Sequence, residues 1–557
     1  MRKPSPLCVF ATALLLFTGS LGAQTPRQPK LVLALLVDQL RYDYLERFHD
    51  QFEPGGFRLL MEKGAFLTYA QYNYAPTVTG PGHASFLSGA PPAVHGIIAN
   101  DWFDKKTLKS LNCVSDPDVE GVGTDNPGGK RSPRNFTGSN LADEMRLRFH
   151  SKVVGLSLKD RGAILPAGKQ PEGAYWFDSS SGGFITSTYY KSELPAWVSA
   201  FNARKVPAGF IGHSWERLLD PSRYHWPDDA PGEASLPGER SKTFNHTVQM
   251  SPTEGFETIV PTPFGNELLL DFARAALEGE RLGSGPQPDL LTLSFSSPDA
   301  VGHLFGPYSQ ELQDTILRLD RQLAAFFEHL ERKVGLKNVY IVLSADHGVA
   351  PAPEFAQARG LDGARLDPIG LMGELLARLE ETYGAAKFLL SPRLTEGNLY
   401  FDHAALRQRG IAPEQLAQTI RDWALESERF EAVFTRTQLL EGRAPGLLGQ
   451  RVFNGFHPAR SGDVVLVQKP YQLLGNQKSG TTHGSPYSYD THIPVLFYGA
   501  AFKPGRFAGE FFITDIAPTL SAALRMNEPS GCIGKPCAQI LQDPVAPEVP
   551  TGKRVGR

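Results

Sequence analysis

Residues 31–38 read LVLALLVD, seven apolar residues in a row closed by Asp38. A strand with one wet face alternates apolar and polar residues. An unbroken apolar run of this length is instead the pattern of a strand buried on both faces, as in the middle of a parallel sheet. The figure recurs twice. Leu290–Phe295 leads through Ser296, Ser297 and Pro298 to Asp299, and Val339–Leu343 leads through Ser344 and Ala345 to Asp346. In open α/β sheets, ligand sites form beyond the carboxyl ends of the strands. One strand-terminal Asp is ordinarily a turn or helix cap. Three of them, two with histidine close by, point to a shared site assembled from distant parts of the chain.

Outward from these strands the apolar spacing changes to every third or fourth residue. That spacing predicts helices over 312–330, 267–277 and 57–63, the last ended by Gly64. A further strand is expected over 493–498 and a further helix over 515–524. Alternating strands and helices place the chain in the α/β class. Two segments depart from the alternation. Residues 226–262 are rich in Pro, Gly, Ser, Thr and charge, and residues 351–480 carry their own helices and a short strand. The expected organisation is a catalytic core over 31–350 with an insertion lobe around 165–262, an inserted subdomain over 351–480, and the C-terminal part of the core over 481–545.

The chain has 557 residues, with 56 Lys+Arg against 59 Asp+Glu. A formal charge of −3 excludes a nucleic-acid or anionic-membrane binder driven by bulk charge. With 41% hydrophobic and 21% charged residues the composition is globular rather than disordered. The N-terminus carries Arg2 and Lys3, an apolar stretch over 7–17 and a small-residue exit through Ala23. This is the pattern of a secretory signal peptide cleaved near Ala23, and the stretch is shorter than the ~20 apolar residues of a membrane span. A secreted or periplasmic mature chain without a membrane span is expected. Cys532 and Cys537, five residues apart, are then expected to form a local disulfide in an oxidising compartment, with Cys113 a lone thiol.

Asp299 and His303 fall one helical turn apart, so both can face one ion. Asp346 and His347 adjoin at a strand end, and His483 lies in the small-residue loop Thr-Thr-His-Gly-Ser-Pro. Mixed imidazole and carboxylate donors suit zinc. With Asp38 the set suffices for two ions ~4 Å apart, and His492 competes with His483 for the last place. Residues 75–85 read APTVTGPGHAS, where Pro81 suits the first turn of a helix and sets Thr79 at its N-terminus. Free N–H groups and the helix dipole stabilise an alkoxide or a phosphate there.

In order and spacing, Asp38, Thr79 in Thr-Val-Thr-Gly-Pro-Gly-His, Asp299 with His303, Asp346-His347-Gly348 and His483-Gly484 resemble the two-zinc alkaline phosphatase superfamily, in its branch with a threonine nucleophile. The resemblance implies an alkaline-phosphatase-like core of mostly parallel sheet flanked by helices. It implies one zinc on Asp38, Asp346, His347 and Thr79, a second on Asp299, His303 and His483, and a structural place for His492. It further implies a covalent phosphothreonine intermediate.

Within that branch the sequence resembles the PafA-like periplasmic phosphatases. Asn100 follows the nucleophile segment, where its amide can donate to a phosphoryl oxygen. Lys159 and Arg161, in Gly-Leu-Ser-Leu-Lys-Asp-Arg, resemble the Lys-x-Arg pair that contacts the non-bridging oxygens in those enzymes. On a strand, residues i and i+2 share a side, so both cations are expected to face one ligand. A monoester phosphoryl group carries one more negative charge than a diester, and an ammonium with a guanidinium fork matches it. Small phosphate monoesters are therefore the expected substrates, with no dedicated nucleic-acid role. A phosphodiesterase or nucleotide pyrophosphatase on the same fold is the alternative, and a non-catalytic secreted binding protein the remote one.

Overall fold

A computed structural model describes residues 28–251, 253, 255–385, 387–391 and 393–542. The expected signal peptide lies outside them. Among the described residues no helix is long and apolar enough to cross a membrane.

The central sheet has eleven strands: β1 (Leu31–Val37), β2 (Ala65–Gln71), β3 (Gly121–Val122), β4 (Val153–Ser157), β5 (Gly173–Asp178), β6 (Gly183–Ser187), β7 (Asp289–Phe295), β8 (Val339–Ser344), β9 (His492–Tyr498), β10 (Gly505–Phe507) and β11 (Phe511–Phe512). Their order across the sheet is β10-β2-β9-β8-β1-β7-β4-β5-β6-β3, with β11 also paired to β2. The three apolar runs form its middle. β1 lies parallel between β7 and β8, in register from Leu31 opposite both Asp289 and Val339. Every residue of β1 is at most 1% exposed. Burying such a Leu or Val contributes ~1.5–3 kcal/mol, so Leu35→Ala would cost ~2–5 kcal/mol once the cavity is counted. The outer strands β3 and β10 are two and three residues long, and short edges limit pairing with other chains.

Register decides where the site lies. Leu36 pairs with Ser344 and Val37 with Phe295, so Asp38, Asp346 and the turn leading to Asp299 leave the sheet at one edge. β4 is parallel to β7, with Ser157 opposite Ser294, so Lys159 leaves at the same edge. β9 runs antiparallel to both β8 and β2. Its N-terminal end, the preceding loop with His483, and the segment from β2 to Thr79 therefore arrive there too.

The amphipathic spacing over 312–330 becomes a helix at Gln310–Lys333, and that over 267–277 becomes Pro263–Gly279. The segment around 165–262 is not a single lobe. It opens with β5 and β6, which extend the central sheet because Ala174–Phe177 and Phe184–Ile185 are buried. Farther on, Ser214–Trp215 pairs only with His246–Thr247. Residues 351–480 build separate sheets, including Asn398–Leu399, Val464–Gln468 and Phe430–Thr435 in antiparallel array. Leu375, Leu416, Ile420 and Val464 belong to a core of their own. The expected disulfide is absent: Cys532 and Cys537 are both free thiols. The Cys532 sulfur packs against Gly89, while the Cys537 backbone is held by the Thr519 hydroxyl at 2.9 Å.

Candidate active site

Helix α1 (Thr79–Ser88) begins at the candidate nucleophile and is buried along its whole length. Two glycines allow its approach. A Cβ on Gly82 would collide with Asp346, and one on Gly80 would press at 3.0–3.2 Å on Ala99, Asn100 and Cys113. The Gly80 N–H donates to Asn100 Oδ1 at 2.7 Å. That bond takes Oδ1 as the acceptor, which leaves Nδ2 as the donor end of the amide. Val78 is extended and Gly89, at φ +67°, ends the helix in the left-handed region that glycine adopts without strain.

Helix α2 (Asp160–Ala167) follows β4, and helix α3 (Ser297–Phe305) follows β7. On α3, His303 Nε2 lies 3.3 Å from Asp299 Oδ1, as the one-turn spacing predicts. His483 Nε2 faces the same oxygen at 3.6 Å. Across the site His347 Nε2 lies 3.3 Å from Asp346 Oδ2. The three histidines share one arrangement at the other ring nitrogen. Nδ1 of His303 meets the Thr481 carbonyl at 2.8 Å, that of His483 the Thr77 carbonyl at 2.8 Å, and that of His347 the Gly348 carbonyl at 2.9 Å. A carbonyl only accepts, so Nδ1 carries the proton and Nε2 presents its lone pair in the neutral ring, as in a metal-ligating histidine with its outer hydrogen bond in place.

Two compact groups of ligand atoms result. One is Asp299, His303 and His483; the other brings Asp38 and Asp346 together with His83. His83 and His347 both compete for the second group. Both His83 nitrogens are occupied, Nδ1 by the Thr79 carbonyl at 2.9 Å and Nε2 by Ser294 Oγ at 2.8 Å. Among the described residues, His347 Nε2 and Asp346 Oδ2 are buried without a hydrogen-bond partner. An unpartnered pair of buried ligand atoms of this kind fits a metal ion, whereas both His83 nitrogens are already engaged. The His347 and His483 rings stack at 3.4 Å, which brings the two groups side by side.

Lys159 Nζ donates to Asp38 Oδ2 at 3.0 Å and to Asp299 Oδ2 at 2.6 Å, tying together one acid from each group. Burial disfavours the Asp38 charge, but Lys159 and then His83 outweigh it and hold the carboxyl down at about 2. Asp299 is pulled well below its ordinary value against burial, by His303 and then Lys159. For Lys159, burial acts downward, but Asp299 and then Asp38 raise it. Burial also opposes the charge of His347, and Asp346 raises it to about 9.

The basic pair is not carried on a strand. β4 ends at Ser157, Lys159 caps α2 and Arg161 lies in its first turn. The alternation that would put both side chains on one side therefore does not apply. They are brought together instead by the turn into the helix, close enough that the charge of Arg161 acts to lower Lys159. Arg161 Nε is buried without a hydrogen-bond partner among the described residues, while the adjacent Asp160 is held by Arg131 at 2.7 Å.

His492 does not join the site; its Nε2 meets the Thr68 carbonyl at 3.0 Å and its ring stacks on Tyr42. Besides His83, two residues that sequence reasoning missed do. Gln39, at φ +66°, donates its backbone N–H to Asp346 Oδ1 at 3.0 Å and its side chain to Asp299 Oδ1 at 2.7 Å. Ser294 Oγ donates to Asp38 Oδ1 at 3.0 Å. The available signals were an amide directly after a strand-terminal acid, and a serine inside an apolar strand.

A family model described as type I phosphodiesterase / nucleotide pyrophosphatase matches residues 32–489. The chain is 40% identical to alkaline phosphatase PafA of Elizabethkingia meningoseptica, over 95% of this chain and 98% of that one. It is 35% identical to alkaline phosphatase PhoV of Synechococcus elongatus, over 94% and 95%. A crystal structure of wild-type PafA superposes with a TM-score of 0.88 at 39% identity, over 92% of this chain and 99% of that one.

Proposed function

The chain belongs to the type I phosphodiesterase / nucleotide pyrophosphatase family of the alkaline phosphatase superfamily, and from that premise we propose that it is a secreted, zinc-dependent alkaline phosphatase acting on phosphate monoesters. The observation that carries the reading is the set of three histidines with Nδ1 tied to backbone carbonyls and Nε2 turned to acids beside the N-terminus of α1. Asp38, Asp346 and His347, with the Thr79 hydroxyl, would hold one zinc, and Asp299, His303 and His483 the other. When bound, the two ions supply Lewis-acid chemistry, activating a hydroxyl at neutral pH and stabilising a leaving oxygen.

Thr79 Oγ1 attacks phosphorus in line with the ester oxygen. The P–O bond to the alcohol breaks, the alcohol departs with the bonding electrons and takes up a proton, and a phosphothreonine remains. Water then attacks that phosphorus from the opposite side and restores the hydroxyl. Asn100, fixed by Gly80, donates through Nδ2 to an equatorial oxygen. Lys159 and Arg161 neutralise the charge spread over those oxygens in a loose transition state. Uncatalysed monoester hydrolysis is slow enough that enzymes reach accelerations of ~10²¹. A single preorganised donor contributes roughly 3–4 kcal/mol, so nucleophile, metals and cationic clamp are all needed.

The test is a paired measurement of kcat/KM on p-nitrophenyl phosphate and bis-p-nitrophenyl phosphate at alkaline pH. Preference for the monoester by orders of magnitude is expected. Preference for the diester would overturn the monoesterase assignment in favour of a phosphodiesterase.

A further inference from the structure

A cavity of about 430 Å³ opens beside the metal groups. His303, His483 and Asn100 line one wall, and the 351–480 segment supplies the other, including Glu396 and Gln468. The phosphoryl chemistry uses only the first wall. The second lies across the cavity from those groups and is not used by the phosphoryl chemistry.

Glu396 sits at the tip of a tight turn over Thr395–Asn398, closed by the Asn398 N–H to the Thr395 carbonyl at 2.9 Å. Glu396 and Gly397 both have positive φ, 47° and 71°. A two-residue turn of this kind selects Asn-Gly, Asp-Gly or Gly-Gly. A longer acid at its first central position is held in a sparsely populated conformation, of the sort that concentrates at binding sites. The Asn398 side chain reinforces the turn by donating to the Glu396 carbonyl at 3.0 Å. The backbone is thus pinned, and the carboxylate reaches over the loop after His483: a Cβ on Gly484 would come 3.6 Å from Glu396 Oε2. Among the residues lining the cavity, Glu396 is the only acid, and no Lys or Arg lines it. Glu396 itself is exposed, and an exposed carboxylate is ionised through the alkaline range.

We propose that Glu396 selects the leaving group, so that the cavity favours phosphate monoesters whose alcohol carries a cationic amine and disfavours those whose alcohol carries a second anion. This rests on the phosphatase reading of the adjoining groups. A phosphate dianion gains nothing from a nearby carboxylate, so the placement is explained by the other end of the substrate. A carboxylate and an ammonium about 4 Å apart in a solvent-open recess attract by roughly tenfold in binding.

The experiment compares kcat/KM for O-phosphoethanolamine, propyl phosphate and phosphoglycolate in the full-length zinc-loaded protein and in Glu396→Gln and Glu396→Lys. The first two substrates match in length and differ in the ammonium. The expected wild-type preference for phosphoethanolamine over propyl phosphate is roughly tenfold. Glu396→Gln should bring that ratio close to one, and Glu396→Lys should shift preference toward phosphoglycolate. Ratios within one variant cancel any general loss of folding or catalysis. A ratio that moves less than twofold in both variants would overturn the proposal. Should the wild type turn over no monoester, the phosphatase reading falls, and competition binding of phosphoethanolamine and propyl phosphate to Thr79→Ala protein still decides the role of Glu396.

Discussion

At the carboxyl edge of the sheet, Asp38, Asp299 and Asp346 are buried together, and Asp38 and Asp299 are held below the ordinary carboxylate range. On the flank, where the 226–239 loop packs on the Gln310–Lys333 helix, Glu233 and Glu311 are buried as completely, and both are raised. For Glu233, burial and then the charge of Glu311 push it up to about 9; for Glu311 burial dominates. The difference is the company each keeps. Lys159 reaches two of the edge acids, and Gln39 and Ser294 donate to all three. Neither Glu233 oxygen has a hydrogen-bond partner among the described residues, nor has Glu311 Oε2. His246 meets only the other Glu311 oxygen, at 3.2 Å. Buried acids stay anionic where the fold supplies cations and donors, and hold a proton where it does not. The edge is built to hold anions; the flank is not.

The contrast breaks most visibly if acids of the two regions are neutralised in turn. Asp299→Asn should lose one metal and reduce turnover on the order of 10⁴-fold or more, as loss of a member of a concerted catalytic unit does. Thr79→Ala should lose a comparable factor while retaining both metals. Glu233→Gln should keep both metals and its turnover. Metal analysis after gentle purification, with steady-state rates on p-nitrophenyl phosphate, separates the three. Loss of a metal in Glu233→Gln would erase the distinction between edge and flank.

Next in size is the choice between two buried histidines. His347→Ala should lower zinc content from two toward one per chain. His83→Ala should keep two, because its nitrogens serve Thr79 and Ser294 rather than an ion. The reverse stoichiometry would transfer the ligand role to His83.

Much of this architecture was legible because it rests on strong local patterns. The runs at 31–37, 290–295 and 339–343 are apolar with few interruptions, Thr292 and Ser294 in the second, since both faces are covered, and their register carries the acids to one edge. The one-turn spacing of Asp299 and His303 survived into helix α3. What was not legible depends on through-space choices. Gly64 follows its helix as expected, yet it is extended at φ −108°, and glycine is required because a Cβ would strike the Phe497 carbonyl. Lys159 and Arg161 were placed on a strand, but β4 stops at Ser157 and helix geometry takes over. Nothing local marks β5 and β6 as sheet strands rather than lobe. Pairing of Val154 with Gly173, across a connection folded into α2, settles it.

The cations at the edge should matter to the extra charge of a monoester. Lys159→Ala and Arg161→Ala are each expected to lower kcat/KM for p-nitrophenyl phosphate by roughly 10²–10³ and that for the bis-ester by much less. Equal losses on both substrates would mean that these residues serve the acids of the site alone, a role the Lys159 contacts to Asp38 and Asp299 already give one of them.

The smallest expected effect lies on the flank and concerns stability. The native state retains a proton on Glu233 up to about pH 9, whereas the unfolded chain releases it near 4.5. Below 4.5 both states are protonated and the contribution is level. Between about 4.5 and 9 the unfolded state binds fewer protons, so each rise in pH favours unfolding; above 9 the loss is complete. Glutamine in that place does not titrate. Glu233→Gln should therefore become more stable relative to the wild type as pH rises, by something on the order of a few kcal/mol at pH 9. Urea unfolding of both proteins with their metals bound, at pH 5 and pH 9, measures it. A difference that stays constant between the two pH values would show that Glu233 is ionised in the native state, and that some cation or donor partners it as Lys159 partners Asp38.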